Sequence, residues 1–185
     1  MTIRRIVYSN EPILHEPSRR VRRIDARLEK LIDDMIETMR EANGIGLAAV
    51  QVGVQERLIV VEMPLLPEDE QDMEEVPETE LYVLINPEIV EASDELGWGV
   101  EGCLSIPGWA GEVERHEAIT VEGLDREGRE VRICAEGLLA RVFQHEVDHC
   151  QGVLFIDRIE DPDRIWSVEE GQEEAAEAAQ ERPSD

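Results

Sequence analysis

The chain has 185 residues, enough for one domain with a real core and too few for two comfortable ones. It carries 44 acidic and 18 basic residues, a net charge of −26, which argues against a general affinity for DNA or anionic membrane. There is no apolar run of about eighteen residues, and Met1-Thr2-Ile3-Arg4-Arg5 leads straight into mixed sequence without a signal-like stretch, so a cytoplasmic protein is expected.

The charge is uneven. Residues 1–30 carry eight bases against four acids, and Lys30 is the one lysine in the chain. An acidic, lysine-poor surface fits a high-salt cytoplasm, where self-repulsion is screened, although a G+C-rich genome also replaces lysine by arginine. The arginines near the start are expected to form a solvated basic face.

In chain order, Leu28, Leu31, Ile32, Met35 and Met39 recur at helical spacing from Asp25 to Asn43, with Asp25 as N-cap and Gly44 as stop. Arg57–Met63 and Leu81–Asn86 are short apolar runs ended by proline, the pattern of buried strands. Between them Glu68–Glu80 holds eight acids and Pro77, which predicts an acidic loop near 66–80. Ala118–Val121 and Glu130–Cys134 flank Asp125-Arg126-Glu127-Gly128, an antiparallel pair joined by a turn. Leu138–Cys150 returns to helical spacing and Gly152 suits its end. From residue 166 to 185 the sequence is acidic with few large apolar side chains, so a flexible tail is expected after a single domain over 1–165.

The predicted helix near residue 145 holds the strongest chemical signal. In His145-Glu146-Val147-Asp148-His149, histidines four apart share one face, so both can ligate one metal ion while Glu146 reaches water beside it. The class is then a metal-dependent hydrolase, and the third ligand decides which one. Metzincin-type peptidases need a further histidine where this chain has Phe155. Thermolysin-like peptidases take a downstream glutamate, and Glu169 lies at such a distance, although Pro162 interrupts. The remaining candidate is Cys103, in Glu101-Gly102-Cys103-Leu104-Ser105, flanked by glycine.

Gly44-Ile45-Gly46-Leu47-Ala48-Ala49-Val50-Gln51, Glu101-Gly102-Cys103-Leu104-Ser105 and Gln144-His145-Glu146-Val147-Asp148-His149 together resemble the three signature motifs of the peptide deformylases, in the right order, over roughly residues 3–160. The resemblance implies an α+β fold of mixed or antiparallel sheets packed around a central metal-binding helix. It implies Cys103, His145 and His149 as ligands of one divalent metal, natively Fe2+ with Zn2+, Ni2+ or Co2+ as replacements. It also implies removal of the N-formyl group from formylmethionine at the start of nascent polypeptides, with Glu146 as general acid/base. The Gln51 amide and the Leu104 backbone N–H would then meet the oxyanion. Gly46 would pair with the peptide backbone, and Ile45, Leu138 and Val142 would wall the methionine pocket, with core packing an equal alternative for those three. A monomer is expected, and the ribosome is a further, transient partner, although an acidic tail disfavours docking through it. Departures from the family pattern are Cys150, Val100 and Arg141. Cys150 is expected to point away from the metal into the core and Cys134 to pack, while His15 and His116, the latter at the start of a strand, belong to the surface.

Overall fold

The run Leu58-Ile59-Val60-Val61 shows no apolar/polar alternation because its strand, β2 (Leu58–Pro64), is covered on both faces. Ile59 and Val61 join a core beneath α2 (Gly137–Gln151), whereas Leu58 and Val60 join a second core with α1 (Ala26–Glu41). The computed structural model describes residues 2–64 and 78–168. The acidic stretch expected as a loop lies outside these up to residue 77, and its last two residues, Thr79 and Glu80, already belong to β3 (Thr79–Ala92). The expected tail lies outside from residue 169. Trp166 and Ser167 are in β8 (Ile165–Ser167), so strand pairing runs two residues past 165.

β2 is the second strand of a five-stranded sheet in the order β1 (Gly46–Ala48), β2, β3, β6 (Ala118–Leu124), β7 (Glu130–Glu136). A smaller sheet has the order β4 (Leu96–Cys103), β5 (Ile106–His116), β8. Every ladder in both sheets is antiparallel. Helix α2 packs against strands of both and is the element that joins them. The fold is therefore α+β, with antiparallel sheets around one central helix.

Local chemistry sets the boundaries. The Asp25 carboxylate accepts from the Arg27 and Leu28 amides and starts α1. The helix stops at Glu41, short of the expected Asn43, because Asn43 itself takes the left-handed conformation (φ 53) that asparagine tolerates. Gly152 (φ 77) ends α2 in the same conformation. The strand expected to end before Pro87 instead continues to Ala92. Asn86 is left-handed (φ 56) and the register slips between Ile85 and Glu88, a bulge that accommodates a proline with no N–H to donate. The Asn86 side chain holds the Val21 backbone through two hydrogen bonds, of 2.8 and 3.0 Å.

Candidate active site

His145 and His149 lie one turn apart on α2, and Cys103 ends β4 just before the tight turn Leu104-Ser105 into β5. The ligand atoms of the three all lie within 4.8 Å of one another, the one such trio among the described residues. Cys103 Sγ is 3.2 Å from His149 Nε2, and the imidazole rings sit 5.0 Å apart at 75°. The donor set fits a metal on its own merits. His145 commits Nδ1 to Glu101 Oε2 at 2.8 Å, which leaves Nε2 for ligation. Burial holds His149 well below the usual imidazole range, so its ring keeps a lone pair to donate. One thiolate and two imidazoles with a fourth position open suit a divalent transition metal. Phe155 stacks against His145 with centroids 6.2 Å apart, so the position that a metzincin gives to histidine here supports a ligand from behind.

Behind the trio lies a network of charges that sequence reasoning did not find. The buried Glu101 binds Arg115 through both oxygens (2.9 Å each), His145 through one and Arg141 through the other. Arg115 also pairs with Asp148, which in turn holds Arg158. Burial alone would raise the Glu101 carboxyl, but Arg115 and then His145 outweigh it and hold it at about 2. Glu101 is therefore a fixed anion that orients a metal ligand. The only sequence signal was a carboxylate two residues before a candidate ligand; nothing in the chain around Arg115 pointed to it.

Glu146 is buried beside the trio, and its Oε2 has no hydrogen-bond partner among the described residues. Burial pushes its carboxyl up to about 7, against the attraction of His145. A Cβ on residue 46 would lie 2.9 Å from Glu146 Cδ and closer still to its carboxylate oxygen, so glycine there is what makes room for Glu146. The Gln51 side chain is fixed by the Ala48 amide, which donates to its Oε1 at 2.8 Å. Its Nε2 therefore faces Ser105 Oγ (3.2 Å) and Cys103 Sγ (3.5 Å).

These groups line a cavity of about 560 Å³ between β1, the β4–β5 turn and α2. Ile45, Leu138, Val142 and Leu104 are on its wall. Ile45 and Leu138 are exposed there, 43% and 56%, which removes the core-packing alternative for both, while Val142 is buried. Cys150 is in the core, with its thiol pushed up by burial to about 12. Cys134 does not pack: it is exposed on β7, on the side of the strand opposite buried Ala135. His15 is exposed as expected, and exposed His116 ends β5 rather than beginning a strand. Glu169 lies outside the described residues, and with Cys103 completing the set the centre has its third ligand without it.

A three-ligand metal centre with a buried carboxylate at its side and an apolar cleft in front of it belongs to a metal-dependent hydrolase. A family model described as polypeptide deformylase matches residues 3–165. The chain is 49% identical to a peptide deformylase of Thermomicrobium roseum over 179 residues, 97% of this chain and 98% of that one. It is also 49% identical to one of Rhizobium meliloti, with 86% of each covered. Among solved structures, peptide deformylase from Ehrlichia chaffeensis superposes with a TM-score of 0.79 at 37% identity, covering 97% of this chain and 98% of that chain. A Met-Ala-Ser-bound class I type b deformylase from Acinetobacter baumannii gives 0.76 at 38%, covering 85% and 98%. The chain belongs to the peptide deformylase family, and Cys103, His145 and His149 form its metal site.

Proposed function

We propose that the enzyme removes the N-formyl group from formylmethionine at the start of newly made polypeptides, releasing formate and a free amine. The observation that carries this reading is Glu146, a carboxylate buried beside Cys103, His145 and His149 at the wall of an apolar cleft. The Acinetobacter baumannii relative is described with Met-Ala-Ser bound, the product such a cleavage leaves. Iron in the ferrous state is the proposed native metal, with Zn2+, Ni2+ or Co2+ able to take its place, since thiolate and imidazole accept all four. When bound, the divalent cation supplies Lewis-acid polarisation of the formyl oxygen and lowers the pKa of water.

Glu146 takes the proton from the attacking water and delivers it to the departing nitrogen as the formyl C–N bond breaks. Burial raises the Glu146 carboxyl, which suits it to give the proton up again, while a dication beside it would favour the ionised form at rest. Gln51 Nε2, turning the N–H of its long 3.5 Å contact with Cys103 Sγ toward the substrate, and the Leu104 backbone N–H donate to the oxyanion as it develops. Ile45, Leu138 and Val142 hold the methionine side chain, and the backbone at Gly46 pairs with the extended peptide. Every residue of the site comes from one chain, so a monomer suffices. The site serves polypeptides as they are begun in the cytoplasm, and ribosome contact is transient because the phosphate-rich surface repels a chain of net charge −26.

Release of formate from formyl-Met-Ala-Ser by anaerobically purified protein tests the reading. Glu146→Gln should keep the metal and lower kcat by roughly a thousand-fold or more. Cys103→Ala should lose the metal, measured by elemental analysis. A metal-loaded native enzyme that releases no formate would overturn the assignment.

A further inference from the structure

Among the described residues, the small sheet has an outer face that neither α1 nor α2 covers. Along β4 the pattern Leu96-Gly97-Trp98-Gly99-Val100 alternates strictly, and the three large side chains stand outward at 48%, 53% and 59% exposure. The glycines face inward for a steric reason. Arg141 lies beneath them, donating to the carbonyls of Gly97 (2.8 Å), Gly99 (3.5 Å) and Val113 (2.8 Å), and a Cβ at Gly99 would come within 2.7 Å of its guanidinium carbon. Trp98 is held in place from one side by Arg164, whose guanidinium carbon is 3.8 Å from the ring centroid and which is itself paired with Glu112 at 3.0 Å. An indole fixed in this way offers its free surface at little entropic cost.

The strip is continuous with the cleft. Val100 is at once the innermost of the three outward side chains and part of the cavity wall, as are exposed Trp109 and Leu138. A polypeptide leaving the cleft past Val100 finds the Gly97 and Gly99 carbonyls already engaged by Arg141, so it cannot add to β4 as a fully paired strand and the outward side chains carry the contact. We infer that Leu96, Trp98 and Val100 form a second contact surface for the substrate, receiving the unfolded segment that follows the first few residues of the formylated polypeptide. This rests on the deformylation reading above. A nascent chain is long, extended and of arbitrary sequence, and apolar contacts without hydrogen-bond demands suit such a ligand. A second copy of this chain suits the strip less well, because Glu112 and Glu114 lie directly across the ladder from Val100 and Trp98 in a protein of net charge −26.

From Val100 to Leu96 the strand rises roughly 13 Å, which matches about four extended residues of peptide. The test compares formyl-Met-Ala-Ser with formyl-Met-Ala-Ser-Gly-Leu-Gly-Leu-Gly-Ser and with its counterpart bearing serine at both leucines. The leucine peptide should have kcat/KM raised about five-fold, through KM and not kcat. Trp98→Ser and Leu96→Ser should each erase that gain while leaving formyl-Met-Ala-Ser turnover within about two-fold of native. Equal kcat/KM for the three peptides would overturn the inference and leave deformylation standing. So would a dimer in sedimentation that Trp98→Ser dissociates without altering peptide preference. Failure on formyl-Met-Ala-Ser itself would instead strike the reading on which this one rests.

Discussion

At the scale of single residues, the site depends on close approaches that side-chain types alone do not disclose. The two histidines were legible in the sequence because they stand one helical turn apart around a glutamate, whereas Cys103 was one candidate among others until the resemblance to the deformylase motifs singled it out. Glu101 and Arg115 were not legible, because their partnership joins positions on two strands of a hairpin to a helix thirty residues on, and charged pairs leave no period. Gly46 carries a related lesson. The family resemblance casts it as a backbone partner of the peptide, yet the structure also gives it a steric duty toward Glu146. Gly46→Ala should fold with an unchanged metal content and push the Glu146 carboxylate aside. A displacement of about 1 Å at a proton-transferring group costs on the order of a hundred-fold in kcat. Steady-state kinetics with formyl-Met-Ala-Ser, read beside the thermal unfolding midpoint, would show it; native kcat in the variant would mean that Glu146 tolerates the intrusion.

Among the elements, long periodic segments were readable and close pairings were not. Both helices announced themselves by apolar spacing and capping residues, and β2, β6 and β7 by apolar or alternating runs. The β4–β5 hairpin went unseen because glycine fills alternate positions of β4 and the turn between the strands is occupied by a functional motif. A further tie outside any period fastens the N-terminal segment to α1. Asp34, buried on the helix, accepts from the Thr2 amide (2.8 Å), from Arg4 Nε and Nη2 (3.1 and 3.0 Å) and from Lys30 Nζ. Lys30 leads in holding its carboxyl below the ordinary value, against burial, with help from Arg4 and Thr2. A carboxyl whose pKa is lower in the folded state stabilises fully above its unfolded value and loses that contribution as pH falls through the folded one. The stability gap between native protein and Asp34→Asn should therefore stay level from pH 8 down to about 5 and close below about 4. Denaturant titrations across that range measure it, and a gap that ignores pH would show that the ion pairs add nothing.

For the molecule as a whole, the decisive number is a net charge of −26. Among the described residues, arginine supplies all but one of the cationic partners in the lysine and arginine ion pairs, and most of those pairs sit at the surface, where each contributes little and less still in salt. Even if every base were paired one to one, 26 acids would remain without a cationic neighbour, so repulsion outweighs pairing in the long-range field. Salt weakens both, and because repulsion is the stronger, screening it leaves a net gain in stability. Raising the ionic strength from about 0.02 M to about 1 M shortens the screening length from roughly 20 Å to roughly 3 Å, less than the spacing of most surface carboxylates. The thermal unfolding midpoint should accordingly climb by about 10 °C over that range in sodium chloride and equally in potassium chloride. Chloride salts are the right probe because sulfate also strengthens apolar burial and would blur the cause. Formate release after incubation at a fixed warm temperature should rise in parallel. If the midpoint stays flat and activity is fully kept in dilute buffer, the acidic surface is a matter of composition and not of adaptation to a salty cytoplasm.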